Sequence, residues 1–157
     1  MQSATESTVY EKELQIDASP ETVWQFLVDP EKVSRWKGFP ASAFDLRPGG
    51  DLRIEIIPGN VASGSFVEID EPHRLVYTWG WEPREDGPNV VPPGSSTVEI
   101  ELVAAHGGTM LRFVHRDLPS AESVESHAAG WDHYLGRLAI AAVGGDPGRD
   151  PWLGDEA

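Results

Sequence analysis

Six runs of residues that alternate in twos, closed by one long stretch of helical spacing, constrain this chain more than any other feature. From Ser120 to Val143, apolar residues stand at Val124, Ala128, Trp131, Leu135, Leu138 and Ala142. The steps are +4, +3, +4, +3 and +4, the spacing of one face of an α-helix. Between Ala41 and Arg116 the chain alternates instead and is punctuated by Gly and Pro. A single long helix after a run of strands must bury its stripe on the sheet those strands make. A curved sheet and such a helix enclose a cavity, so the pattern predicts a container and says less about its contents.

Val9–Ile16 alternates Tyr10, Leu14 and Ile16 against Glu11, Glu13 and Gln15, as a half-buried strand does. Ser19-Pro20-Glu21 opens a helix: Ser caps, Pro suits the first helical position and Glu complements the helix dipole. Asp29-Pro30-Glu31 repeats the signal and predicts a second short helix running to about Trp36. The six strands are expected at 44–46, 52–57, 63–69, 74–81, 97–103 and 109–116. Arg47-Pro48-Gly49-Gly50 and Gly107-Gly108 read as hairpin turns. Residues 82–95 hold four prolines, two glycines and no periodicity, and a loop this long inside a compact domain is usually functional or disordered. Residues 1–7 and 144–157 are expected to be flexible tails around one domain at 8–143.

A chain of 157 residues fits one domain. Its 12 Lys and Arg against 26 Asp and Glu give a net charge of -14. That field repels phosphate backbones and anionic lipid, so neither nucleic acid nor a membrane surface is an expected partner. The absence of cysteine removes disulfides, thiolate metal sites and cysteine nucleophiles. Met1–Thr8 is polar and no apolar run approaches ~18 residues, so the expectation is a cytoplasmic protein.

The order of these elements, with particular phrases in it, resembles the helix-grip fold of the START and birch-pollen-allergen superfamily (SRPBCC). The closer resemblance is to its branch of activator-of-heat-shock-protein-ATPase homologues. The phrases are Ile16-Asp17-Ala18-Ser19-Pro20-Glu21-Thr22-Val23-Trp24, Trp36, Asp45-Leu46-Arg47-Pro48-Gly49-Gly50, Leu75-Val76-Tyr77-Thr78-Trp79, Gly108-Thr109-Met110-Leu111, and Gly130-Trp131 with Leu135 and Leu138. The resemblance covers residues 9–143. It implies an α+β fold with a curved antiparallel sheet of about seven strands wrapped round the long C-terminal helix, two short helices lying between the first and second strands. It also implies a cavity whose mouth is formed by Pro58–Asn60, loop 82–95 and Asp117–Pro119. It implies no single activity, since the superfamily includes lipid carriers, hormone receptors, polyketide cyclases and chaperone regulators.

Two candidate chemistries remain. Leu111, Phe113 and His115 share a strand face, while His127 precedes Trp131 by four residues on the helix near Tyr134. These two histidines either orient a ligand or shuttle a proton, or else form a hydrogen-bonded, half-buried structural pair. His127 and His133 are six apart and cannot share a helix face as metal ligands would; no metal or cofactor is expected. Leu75, Tyr77, Trp79 and Trp81 share a face and belong either to the core or to an aromatic pocket wall. Arg53, Glu55, Glu99, Glu101 and Arg112 are expected on the solvent face as cross-strand ion pairs. No nucleophile elbow, Walker loop or dinucleotide fingerprint occurs.

The leading expectation is a protein that binds an apolar or aromatic small molecule. Its ligand-binding set would be Trp36, Phe44, Ile54, Tyr77, Trp79, Trp81, Phe113, His115, His127, Trp131 and Tyr134. A cyclase- or dehydratase-like enzyme using His115 and His127 as acid and base is the alternative. A third reading is a chaperone-linked interaction domain, with a chaperone or a second copy of the chain as partner.

Overall fold

The computed structural model describes residues 8–36, 42–57, 60–82 and 91–148. The elements run β1 (Tyr10–Ile16), α1 (Pro20–Val28), α2 (Pro30–Val33), β2 (Ser42–Phe44), β3 (Asp51–Ile57), β4 (Asn60–Asp70), β5 (Arg74–Trp81), β6 (Ser96–Ala105), β7 (Gly108–Arg116) and α3 (Ala121–Ala142). The seven strands form one antiparallel sheet in the order β1-β7-β6-β5-β4-β3-β2. Register shifts between Glu55 and Ile57 and between Phe66 and Glu68 mark bulges, which bend the strands that carry them. This is the expected α+β helix-grip architecture. The tail expected at 1–7, residues 149–157 of the tail expected at 144–157, and most of loop 82–95 lie outside the described residues.

The helices begin where their caps stand. Ser19 Oγ accepts from the Thr22 amide at 3.2 Å, Asp29 Oδ1 from Glu31 at 3.1 Å and Ser120 Oγ from Ser123 at 3.1 Å, each satisfying an amide the helix leaves unpaired. The second helix is shorter than expected. It closes at Val33, and tight turns carry the chain from there to Trp36, whose amide bonds to Val33 O at 3.1 Å. The first hairpin is also displaced: β2 ends at Phe44, and Asp45 and Leu46 belong to the turn. The Asp45 amide bonds to Asp51 O at 2.8 Å, and its carboxylate holds Arg47. Leu46 is consequently exposed rather than paired. The last hairpin turns on His106 and Gly107, both with positive φ, one residue earlier than expected. A two-residue turn with both φ positive matches the twist of the flanking strands.

Alternation puts Val98, Ile100, Leu102, Leu111 and Phe113 inside. The α3 stripe of Trp131, Leu135, Leu138 and Ala142 meets them. Burying Leu135 and Leu138 contributes about 1.5–3 kcal/mol each. The outer face carries the expected charges in a network. Arg74 reaches Glu68, Glu99 and Glu101 at 2.8–3.2 Å, Arg112 reaches Glu13 and Glu101, and Arg116 pairs with Glu99. Hydrogen bonds from Arg116 and then Arg74 hold the Glu99 carboxyl below its ordinary range. The edge strand β1 is tied to α3 by Tyr10 Oη and Lys12 Nζ, which both donate to Asp132 Oδ1. Among the described residues no helix is long and apolar enough to cross a membrane.

Candidate functional site

The inward faces of β4, β5 and β7 bring a row of rings under α3. Phe44 meets Phe66 edge-on at 6.0 Å, Phe66 meets Tyr77 at 6.2 Å, and Tyr77 meets Trp79 at 6.2 Å. Trp79 then contacts Trp131 at 5.0 Å, Trp81 at 5.6 Å and His115 at 6.1 Å. Phe113 lies 4.5 Å from Trp131, and His115 lies 5.0 Å from His127. Trp79, Phe113, His115 and Trp131 are buried, while Trp81 and His127 are half-buried and form the exposed end of the cluster.

The remaining members of the expected set sit elsewhere in the same core. Trp36 is buried in the turn that follows α2, its Nε1–H donating to Phe26 O of α1 at 2.8 Å. Ile54 is buried on β3. Tyr134 is buried on α3 and contacts His133 at 4.7 Å. Of the expected mouth, Pro58, Gly59 and 83–90 lie outside the described residues. Leu118 turns inward and is 2% exposed, its amide bonding to Thr8 O at 3.2 Å. Val91 is buried, and its carbonyl accepts from the Trp81 amide at 2.7 Å.

Hydrogen bonding fixes the state of both histidines. An indole N–H can only donate. Trp131 Nε1–H reaches His115 Nδ1 at 3.0 Å, so Nδ1 bears the lone pair and Nε2 the proton. His115 Nε2 therefore donates to Ser96 Oγ at 2.8 Å, and Ser96 donates onward to Trp79 O at 2.8 Å. Ser96 is not an activated nucleophile, because the imidazole gives it a proton instead of accepting one. His127 takes the opposite tautomer. Trp81 Nε1–H donates to its Nε2 at 3.1 Å, and its Nδ1–H donates to Ser123 O at 2.8 Å. Burial pushes the His127 imidazolium below the ordinary histidine value, opposed by the bond to the Ser123 carbonyl. The site is thus an aromatic cluster with two neutral imidazoles whose acceptor nitrogens both point at indoles.

That shift has a pH consequence. The unfolded chain binds the His127 proton near 6.5 and the folded chain binds it lower. Stability from His127 is therefore present above that value and lost as pH falls through it. Between about pH 7.5 and pH 5 the wild-type melting temperature should fall further than that of His127→Gln, whose amide oxygen still accepts from Trp81. Equal slopes in a calorimetric comparison would remove His127 as a source of acid sensitivity.

Two contributors escape the sequence reading. Ser96 follows from the period that places Val98 and Ile100 inside, one residue before the expected start of its strand. Arg137 stands three residues after Tyr134 on the buried stripe and is 8% exposed. Its guanidinium donates to Trp36 O at 3.0 Å, Pro147 O at 3.3 Å and Gly148 O at 2.8 Å. Residues 147–148, expected in a flexible tail, are thereby tied to the last helix and to the end of the α2 turn. A cavity of about 390 Å3 lies on the outer face of the sheet, away from the cluster, lined among others by Asp51, Arg53, Ser63, Ser65, Thr78 and Glu82. The Arg53–Glu82 ion pair, 2.9 Å, forms part of its wall.

The family described as Activator of Hsp90 ATPase homolog 1-like protein matches residues 17–142. The solution structure of an AHSA1-like protein from Rhizobium etli is 43% identical, with 100% of this chain and 96% of that one covered and a TM-score of 0.73. The crystal structure of CalU16 from Micromonospora echinospora is 27% identical over 87% of this chain and 76% of that one, with a TM-score of 0.69. An HSP90 activator from Plasmodium falciparum shares the fold at 20% identity over 86% and 96% of the two chains, with a TM-score of 0.67. None of the curated proteins matches.

Proposed function

The chain belongs to the family of Activator of Hsp90 ATPase homolog 1-like proteins, and from that premise we propose that it binds a small apolar or aromatic molecule between the concave sheet and α3. The observation that carries this reading is the cluster of Trp79, Trp81, Phe113 and Trp131, with neutral His115 buried within it and neutral His127 at its exposed end. Aromatic walls with a few placed polar groups are what small-molecule sites use. Half-buried Trp81 and His127 mark the side from which a ligand enters.

The acid–base alternative is weaker on this geometry. A general base needs a lone pair directed at the substrate, and both imidazole lone pairs accept from indole N–H groups. A chaperone partner rests on the family name alone, so ligand binding is placed first.

The test is a thermal-shift and tryptophan-fluorescence titration with naphthalene and its derivatives. Ligand at about 100 times its Kd is expected to stabilise the fold by roughly 2.7 kcal/mol and to quench the cluster. Neither a shift nor quenching across the series would overturn the reading.

A further inference from the structure

His127 sits at the open end of the cluster with one nitrogen already committed. Its Nδ1–H donates at 2.8 Å to Ser123 O, one helical turn earlier on α3. That carbonyl belongs to the helix backbone and cannot turn away. In the neutral ring that bond keeps the proton on Nδ1, so Nε2 is an acceptor. The group filling that acceptor is the Trp81 indole N–H at 3.1 Å. Trp81 is half-buried and is the last residue of β5. Its backbone is held separately by the bond to Val91 O, so its side chain can swing out without unpairing the strand end.

We propose that the Trp81 indole occupies the place of a ligand, and that the site at His127 Nε2 takes a neutral planar aromatic molecule bearing one O–H or N–H donor, a phenol- or indole-class compound. This rests on the ligand-binding reading above and adds the ligand's chemistry to it. The rings that flank the position are Trp79, at 5.6 Å from Trp81, and His115, at 5.0 Å from His127. They offer edges and faces to a planar molecule of indole size. Against the neutral ring a carboxylate or phenolate would set lone pair against lone pair at Nε2. A methyl ether of the same shape would leave Nε2 without the donor it has in the free protein, and leaving a buried acceptor unmade is costly.

The experiment compares 2-naphthol, 2-methoxynaphthalene and 2-naphthoate on the wild-type chain. Binding is followed by thermal shift and by the Trp81 indole N–H signal in proton–nitrogen NMR. The naphthol is expected to bind about tenfold tighter than its ether, the value of one net hydrogen bond, and to shift the Trp81 signal; the naphthoate is expected to bind weakest. In His127→Leu the preference for naphthol should collapse towards one. In Trp81→Ala, indole should raise the melting temperature and 1-methylindole should not. Equal binding of naphthol and ether, or tightest binding of the naphthoate, overturns this inference and leaves the ligand-binding reading standing. No binding by any of the three removes both. If Trp81→Ala does not fold, the wild-type ratio and its loss in His127→Leu decide alone.

Discussion

Trp131→Ala is expected to destabilise the fold by about 3–5 kcal/mol, the range for deleting a large buried aromatic. Against a total stability of about 5–15 kcal/mol, that is a third of the fold or more. Trp131 is 4% exposed and is the point where α3 grips the sheet. Its ring touches Phe113 at 4.5 Å, Trp79 at 5.0 Å and His115 at 6.0 Å. Alanine removes those contacts and leaves a cavity that the two flanking elements are too rigid to close. It also strips the donor from His115 Nδ1. Trp131→Phe separates the two losses, because it keeps a ring and removes the N–H; its cost should be about 1–3 kcal/mol, that of an unsatisfied buried acceptor plus some volume. Denaturant unfolding of the three proteins reads both numbers, with unchanged slopes if the variants unfold from the same native state. A cost under about 1 kcal/mol for the alanine variant would mean that Trp131 is not seated in the core.

The parts of this molecule that were legible beforehand are those set by periodicity and by caps. Trp131, Leu135 and Leu138 recur at helical spacing, and Leu111, Phe113 and His115 recur in twos, because burial on one face imposes those periods. Ser19, Asp29 and Ser120 announce helix starts because each supplies an oxygen to an amide that has no other partner. What was not legible depends on contacts between elements distant in sequence. Nothing near His115 indicates that the indole of residue 131 fixes its tautomer, or that Ser96 receives its proton. Both facts require the register that pairs Val98 with His115 and Trp79 with Ser96. Arg137 is harder still. A charge on the buried stripe is recognisable in sequence, but its three carbonyl partners come from the α2 turn and from beyond α3. The turn residues Asp45 and Leu46 illustrate a local miss: alternation alone ran the strand on to residue 46, whereas the Asp45–Arg47 and Asp45–Asp51 bonds close it at Phe44.

The candidate site follows the same division. Its aromatic composition could be read from the shared face of Tyr77, Trp79 and Trp81. Its electrical state could not, because neutrality at His115 and His127 is a property of where two indole N–H groups point. That distinction separates the functional readings, since an acid–base pair and a pair of neutral acceptors use the same residues.

Gly80→Ala is the second change expected to have a large effect, and its sign depends on space alone, since Gly80 is not among the positive-φ residues. A Cβ built there would lie 1.9 Å from Pro92 O, 2.2 Å from Pro92 C and 2.5 Å from Pro93 Cα. All three atoms are backbone, so no side chain can rotate away to make room. Ordinary contact begins near 3.4 Å, and the Pro92–Pro93 segment would have to retreat accordingly. Two fixed proline φ angles limit how it can do so. Retreat breaks the bond from the Trp81 amide to Val91 O at 2.7 Å, which holds the end of β5 beside the site. Overpacking at about 1–3 kcal/mol, with a lost hydrogen bond of about 1 kcal/mol, places the expected loss near 3 kcal/mol. Gly136→Ala is the control. A Cβ at Gly136 meets nothing within 4 Å, and a glycine inside a helix costs roughly 0.5–1 kcal/mol relative to alanine, so that substitution should stabilise α3. The same added methyl group is thus expected to move the melting temperature in opposite directions at the two positions. Should Gly80→Ala melt with the wild type, residues 91–93 would not lie across β5 at all. The strand end that presents Trp81 to His127 would then have lost its backbone support.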